Sequence, residues 1–184
     1  MPSRPLADAW QATEDASVPV LTALYLRDAL GIVDPGGMPR LEATGLKPAD
    51  PPDPRIGWAW TRWWISTIET DRPDFPALPE FDDGFERLVR RHLDSARAWA
   101  QVAHQVAAER AAARRDRTFG DVVREREAEL GRRARAFRLR IEVLPLAEPG
   151  LWWIGDGAIA VDERVRAEPV LYADALRPVI EQLA

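Results

Sequence analysis

His92 and His104 are the side chains in this sequence best suited to moving a proton or holding a metal near neutral pH. They lie in one stretch of helical periodicity, about 18 Å apart along a helix axis at 1.5 Å per residue. One metal ion therefore cannot take both from a single chain, and the His-x-x-x-His spacing of helical zinc sites is absent. His92 falls in an apolar stripe and reads as a partly buried, hydrogen-bonded histidine; His104 reads as solvent-facing. The chain has 0 cysteines, which excludes disulfides, thiolate metal sites and cysteine nucleophiles. Glycine-rich phosphate loops and Gly-x-Ser-x-Gly elbows are also missing. Asp156, Asp162 and Glu163 are close enough in sequence to suggest paired carboxylates, but aspartates in turns ordinarily bond local backbone. No catalytic residue, metal ligand or cofactor is expected, and nothing marks the chain as an enzyme.

Tryptophan offers a second kind of chemistry. Trp58, Trp60, Trp63 and Trp64 crowd one segment, and Trp152-Trp153 form an adjacent pair. Exposed indoles would make a platform for a sugar, a base or a cation. Buried indoles would make a core helix with their N–H groups bonded at its edges. Four large rings cannot all face inward on one short helix, so one or two are expected near the surface. Adjacent strand residues point to opposite faces, so one ring of Trp152-Trp153 should enter the core and the other should lie outside. These six residues are the candidate ligand or partner surface.

Arginine is the third signal. Lys47 is the only lysine among 25 basic residues, a bias that a GC-rich genome explains without invoking nucleic acid. Residues 1–81 carry 7 basic and 12 acidic side chains, residues 82–140 carry 15 and 10, and residues 141–184 carry 3 and 8. The net charge of −5 thus conceals a basic middle between two acidic ends. Arg110, Arg114, Arg115 and Arg117 are the candidate basic surface, and the 110–140 region could track phosphates. Interleaved Glu109, Asp116, Glu125, Glu127 and Glu129 instead describe a salt-bridged solvent face, so nucleic acid is not the expected partner.

The elements that must position these residues follow from periodicity. A short helix is expected over 6–14. Ser17-Val18-Pro19 starts a helix that Gly31 ends. Residues 34–57 and 70–80 are proline-rich loops, the first functional, pinned against the domain as a strap, or disordered. A tryptophan-rich helix fills 56–69. Phe81, Phe85, Leu88, His92, Ala96, Trp99, Ala103 and Val106 recur at helical steps and define a long helix. Thr118 and Asp121 open the next one, which ends near Gly131, and the two should form an antiparallel hairpin.

From Phe137 the period changes to two, giving a half-buried strand. A second strand covers 151–154. Gly155-Asp156-Gly157 makes a tight turn, and a third strand begins at Ala158. Asp174 is expected to cap a closing helix with Pro178 in its first turn. The class is α+β, a single domain over 1–184: an antiparallel helical hairpin, a three-stranded antiparallel β-meander and a C-terminal helix, wrapped by the Trp-rich helix and Pro-rich loops. No apolar run approaches the roughly 20 residues that span a bilayer, and no signal-peptide pattern leads the chain.

This pattern suggests a soluble, non-enzymatic protein-interaction module, an adaptor, regulator or inhibitor in the bacterial cytoplasm, whose partner is another protein or a second copy of the chain. The alternatives are a small-molecule binder or enzyme with a Trp-lined pocket, and nucleic-acid binding through 110–140.

Overall fold

A computed structural model describes residues 10–33, 36–42, 44–46, 54–69, 83–114 and 118–183. Its elements are β1 (Gln11–Asp15), α1 (Val18–Ala29), α2 (Pro54–Glu69), α3 (Asp83–Ala113), α4 (Phe119–Leu130), β2 (Arg138–Leu144), β3 (Leu151–Gly155), β4 (Ala158–Asp162), α5 (Glu163–Ala167) and α6 (Pro169–Leu183). The class is α+β, but the sheet is mixed rather than an antiparallel meander. Its order is β1-β2-β4-β3, with β1 and β4 both parallel to β2, and β3 antiparallel to β4.

The reason lies in β4. Ala158-Ile159-Ala160-Val161 is apolar on both faces and completely buried, the pattern of a strand that fits between two covered surfaces. β3 carries Trp152 and Trp153 on opposite faces and is only partly buried, so it takes the edge. The 145–150 connection carries the chain past the central position, and the hairpin at Asp156-Gly157 returns it. Gly157 adopts φ 64°, as the turn requires.

β1 occupies the segment expected to be a short helix; of that segment, residues 6–9 lie outside the described residues. Its pairing with β2 joins Gln11 to Arg138 and Asp15 to Glu142. A partner so remote in sequence overrides the weak local helical preference.

The helices divide between the two faces. Leu144, Ala158 and Ala160 pack with α1, α2 and α3 in one core, which Trp152 and Ile154 adjoin. Leu139, Ile141, Val143, Ile159 and Val161 pack with α4, α5 and α6 in the other. The expected α3–α4 hairpin is therefore not formed: α3 packs on α1, and α4 on α6. The alanine stripe of α3 does allow a close neighbour, with Ala96 and Ala100 buried beside α1, but that neighbour precedes α3 by two helices. On the opposite face, Trp10, Phe119 and Phe137 form an aromatic group with centroids 5.8 to 6.5 Å apart, which ties α4 to the starts of β1 and β2.

Helix ends are mostly set by local chemistry. Ser17 is the N-cap of α1 with proline in the first turn, and Thr118 and Asp121 form a reciprocal capping box on α4. The last helix departs from expectation: it begins at Pro169, and Pro178 lies inside it. Pro169 takes the first-turn role assigned to Pro178. Pro178 deprives the Asp174 carbonyl of its intrahelical donor, at an exposed residue.

The described part of the 34–57 loop is a pinned strap, and α2 already begins at Pro54. Arg27 and Asp28 are an ion pair buried under the strap at 2.8 Å. Arg27 donates to the Met38 and Pro39 carbonyls, and Asp28 accepts from the Leu41 amide. Leu41 then bridges to Leu146. Residues 34, 35, 43 and 47–53 of this loop, and the whole 70–80 loop, lie outside the described residues.

Candidate functional site

The tryptophan-rich segment is mainly core. Trp60 and Trp63 are fully buried and Trp64 nearly so. Trp60 donates from Nε1 to the Ala23 carbonyl at 3.0 Å and stacks on Trp64 with centroids 5.4 Å apart. Trp63 meets the edge of Phe85. Trp58 is the exception at 73% exposure, and Ile65 on the same helix is 48% exposed. Seven residues separate them, two helical turns, so they share the outward face of α2. The Trp152-Trp153 pair divides as strand geometry requires: Trp152 packs against the α1–α3 core, while Trp153 is 40% exposed. The candidate Trp surface therefore reduces to Trp58 and Trp153, on different elements.

Part of the basic stretch is held in ion pairs. Arg110 pairs with Glu163, Arg124 with Asp121, and Arg126 with Glu129 and Glu181. Arg114 lines a small cavity beside Glu14 and Asp15. Arg115 and Arg117 lie outside the described residues.

The histidines stay apart. His92 is half-buried on α3. His104 Nδ1 lies 2.9 Å from the Ala16 carbonyl and 3.5 Å from Asp15 Oδ1, which fastens α3 to the β1–α1 junction. Among the described residues no group of three or more His, Asp or Glu side chains could hold a metal, and no helix is long and apolar enough to cross a membrane.

Parallel strands commonly bind ligands beyond their carboxyl ends, and here that end is closed by the protein's own side chains. Glu14 accepts from Arg166 Nε at 2.7 Å and from the Tyr172 hydroxyl at 2.6 Å, and the Arg166 guanidinium lies 4.4 Å from the Tyr172 ring centroid. Burial, followed by the Glu14 charge, pushes the Tyr172 phenol upward. Asp162 is buried, caps α5 through the Arg164 amide and also accepts from Leu146 N. Glu163 pairs with Arg110, and Asp156 lies at the opposite end of the strands. The remaining cavity at this end is 50 Å³, room for a water or two.

Glu142 is the functional-looking residue that sequence reasoning missed. It is completely buried, with its carboxylate accepting from Ser17 N at 2.8 Å and from Ser17 Oγ at 2.9 Å. This is the part that a glutamate in the first turn plays in a capping box, supplied from a strand. Burial raises its pKa, and the two Ser17 bonds and Arg140 counteract part of the rise. The alternation of β2 placed Glu142 on the polar side with Arg138 and Arg140; nothing local announces that α1 covers it.

Among the described residues, the amino ends of the same strands are uncovered. A 590 Å³ cavity there is lined by Gln11, Thr13, Glu69, Arg138, Arg140 and Asp156, with no tryptophan among its described walls. This cavity is not the Trp-lined pocket of the alternative reading; Ile68, Leu139 and Ala158 also line it. The α2 helix ends at its rim: Arg140 donates to the Ile68 carbonyl, and Ile68 rests on Gly155, where a Cβ would come within 2.4 Å of its Cγ2.

No known protein family, no curated protein and no solved structure matches this chain.

Proposed function

We propose that this chain is a non-enzymatic protein-interaction module, an adaptor, regulator or inhibitor, and that it engages a protein partner through the outward face of α2. The observation that carries this reading is the 73% exposure of Trp58 above the exposed Ile65, on a helix whose other three tryptophans are buried. Tryptophan is enriched among the residues that dominate binding energy at protein interfaces, and water-exposed indole gains when a partner covers it. The ion pairing of Arg110, Arg124 and Arg126 favours this reading over nucleic-acid binding.

The test compares the wild type with Trp58→Ala in affinity purification from host cells under mild salt. Exposed positions tolerate substitution within about 0.5 kcal/mol, so the variant should keep its thermal midpoint. It should lose a stoichiometric partner that the wild type retains, since a central tryptophan is worth roughly 2 kcal/mol or more at an interface. An identical set of captured proteins from both, or none from either, would remove the reading.

A further inference from the structure

The open end of the sheet is built as a two-by-two polar patch. Register pairs Gln11 with Arg138 and Thr13 with Arg140, and parallel partners point to the same face of a sheet. Residues two apart on one strand also share a face, about 7 Å apart. Arg138 and Arg140 therefore stand side by side above β2, flanked by Gln11 and Thr13 on β1. On the other flank the partner of Arg140 is Ala158, a small buried side chain at the cavity wall. The same face of β2 runs from exposed Arg138 through half-buried Arg140 to buried Glu142, so the patch deepens into the protein.

Both guanidiniums have capacity left. Arg138 lines the cavity, and its guanidinium makes no ion pair or hydrogen bond among the described residues. Arg140 is held by the Ile68 carbonyl. Its Nε is buried without a hydrogen-bond partner, although the Glu142 carboxylate pairs with it at 3.6 Å. An anion bridging the two guanidiniums would gain charge-assisted hydrogen bonds from both. Asp156 and Glu69 on the cavity wall supply acceptors. The volume of 590 Å³ falls within the roughly 300–1,000 Å³ of small-molecule sites.

We propose that this cavity binds a small organic anion. Its carboxylate or phosphate would bridge Arg138 and Arg140, and its hydroxyl or amino groups would face Asp156 and Glu69. The site is separate from the Trp58 face, so either proposal can fail without the other.

The experiment is isothermal titration and thermal shift with inorganic phosphate, citrate and aspartate as probes, against sodium chloride at matched ionic strength. At least one probe should bind and raise the midpoint above the chloride baseline. Arg138→Ala, which removes no bond within the described fold, should keep the ligand-free midpoint and weaken that probe roughly tenfold or more. Trp58→Ala should bind it unchanged. Phosphate against citrate and aspartate separates the two anion chemistries. The proposal is overturned if no probe exceeds chloride, or if Arg138→Ala binds as well as the wild type.

Discussion

At the scale of single residues, Glu142 couples the sheet to the first helix. Its carboxylate meets the amino end of α1, where the helix dipole and the Ser17 donors favour negative charge. Burial opposes that charge and dominates, so the folded-state pKa lies above the ordinary value of 4.5. A carboxyl raised in this way binds its proton more tightly in the folded chain. Its contribution to stability is complete below the unfolded pKa and is lost as pH rises from about 4.5 through the folded value. Glu142→Gln keeps an oxygen for Ser17 without the charge. Denaturant unfolding across pH should show the wild type losing stability relative to Glu142→Gln as pH climbs through that window. A constant difference at all pH values would mean that Glu142 titrates normally. Glu142→Ala should cost about 1–3 kcal/mol, because the Ser17 amide is then left without its acceptor.

At the scale of elements, the contact between α2 and the β3–β4 hairpin depends on an absent side chain. Ile68 Cγ2 occupies the place of a Cβ at Gly155, so Gly155→Ala should overpack the junction at a cost of about 1–3 kcal/mol. Replacing Ile68 by leucine removes Cγ2, and Gly155→Ala with Ile68→Leu should recover much of the loss. Additive destabilisation in a double-mutant cycle would refute the contact. The sequence marked this glycine only as part of a turn, because its neighbour lies on a helix far away in the chain. Elements whose signals are local were legible: the starts of α1 and α4, the alternation of β2 and the glycine turn. β1 was not, since a five-residue strand of Gln-Ala-Thr-Glu-Asp carries little pattern of its own and forms on β2. The start of α6 was displaced because two prolines, Pro169 and Pro178, each fit a first turn, and packing of Tyr172 and Ala173 in the core extends the helix back to the first of them.

At the scale of the whole molecule, the sheet is shared by two cores. Ala160 belongs to one and Ile159 to the other, so damage to either face of β4 is felt on both. Ile159→Ala should cost about 2–5 kcal/mol. It should also lower the tryptophan-fluorescence transition, to which Trp60, Trp63 and Trp64 on the opposite face contribute, as much as that seen by far-ultraviolet circular dichroism. Two separated transitions would show that the cores unfold independently.

The sequence by itself determined the α+β class, most helices, the turn at Gly155–Gly157 and the absence of cysteine chemistry. Each of these depends on composition or on neighbours within a few residues. Tertiary structure decided the order and direction of the strands, the division of helices between two faces, and the exposure of Trp58 alone within its segment. It also decided the burial of Glu142 and the meeting of Arg138 and Arg140 with Gln11 and Thr13. Those features join segments more than 100 positions apart or depend on which face a neighbour covers, and periodicity shows that a face exists without showing what lies against it.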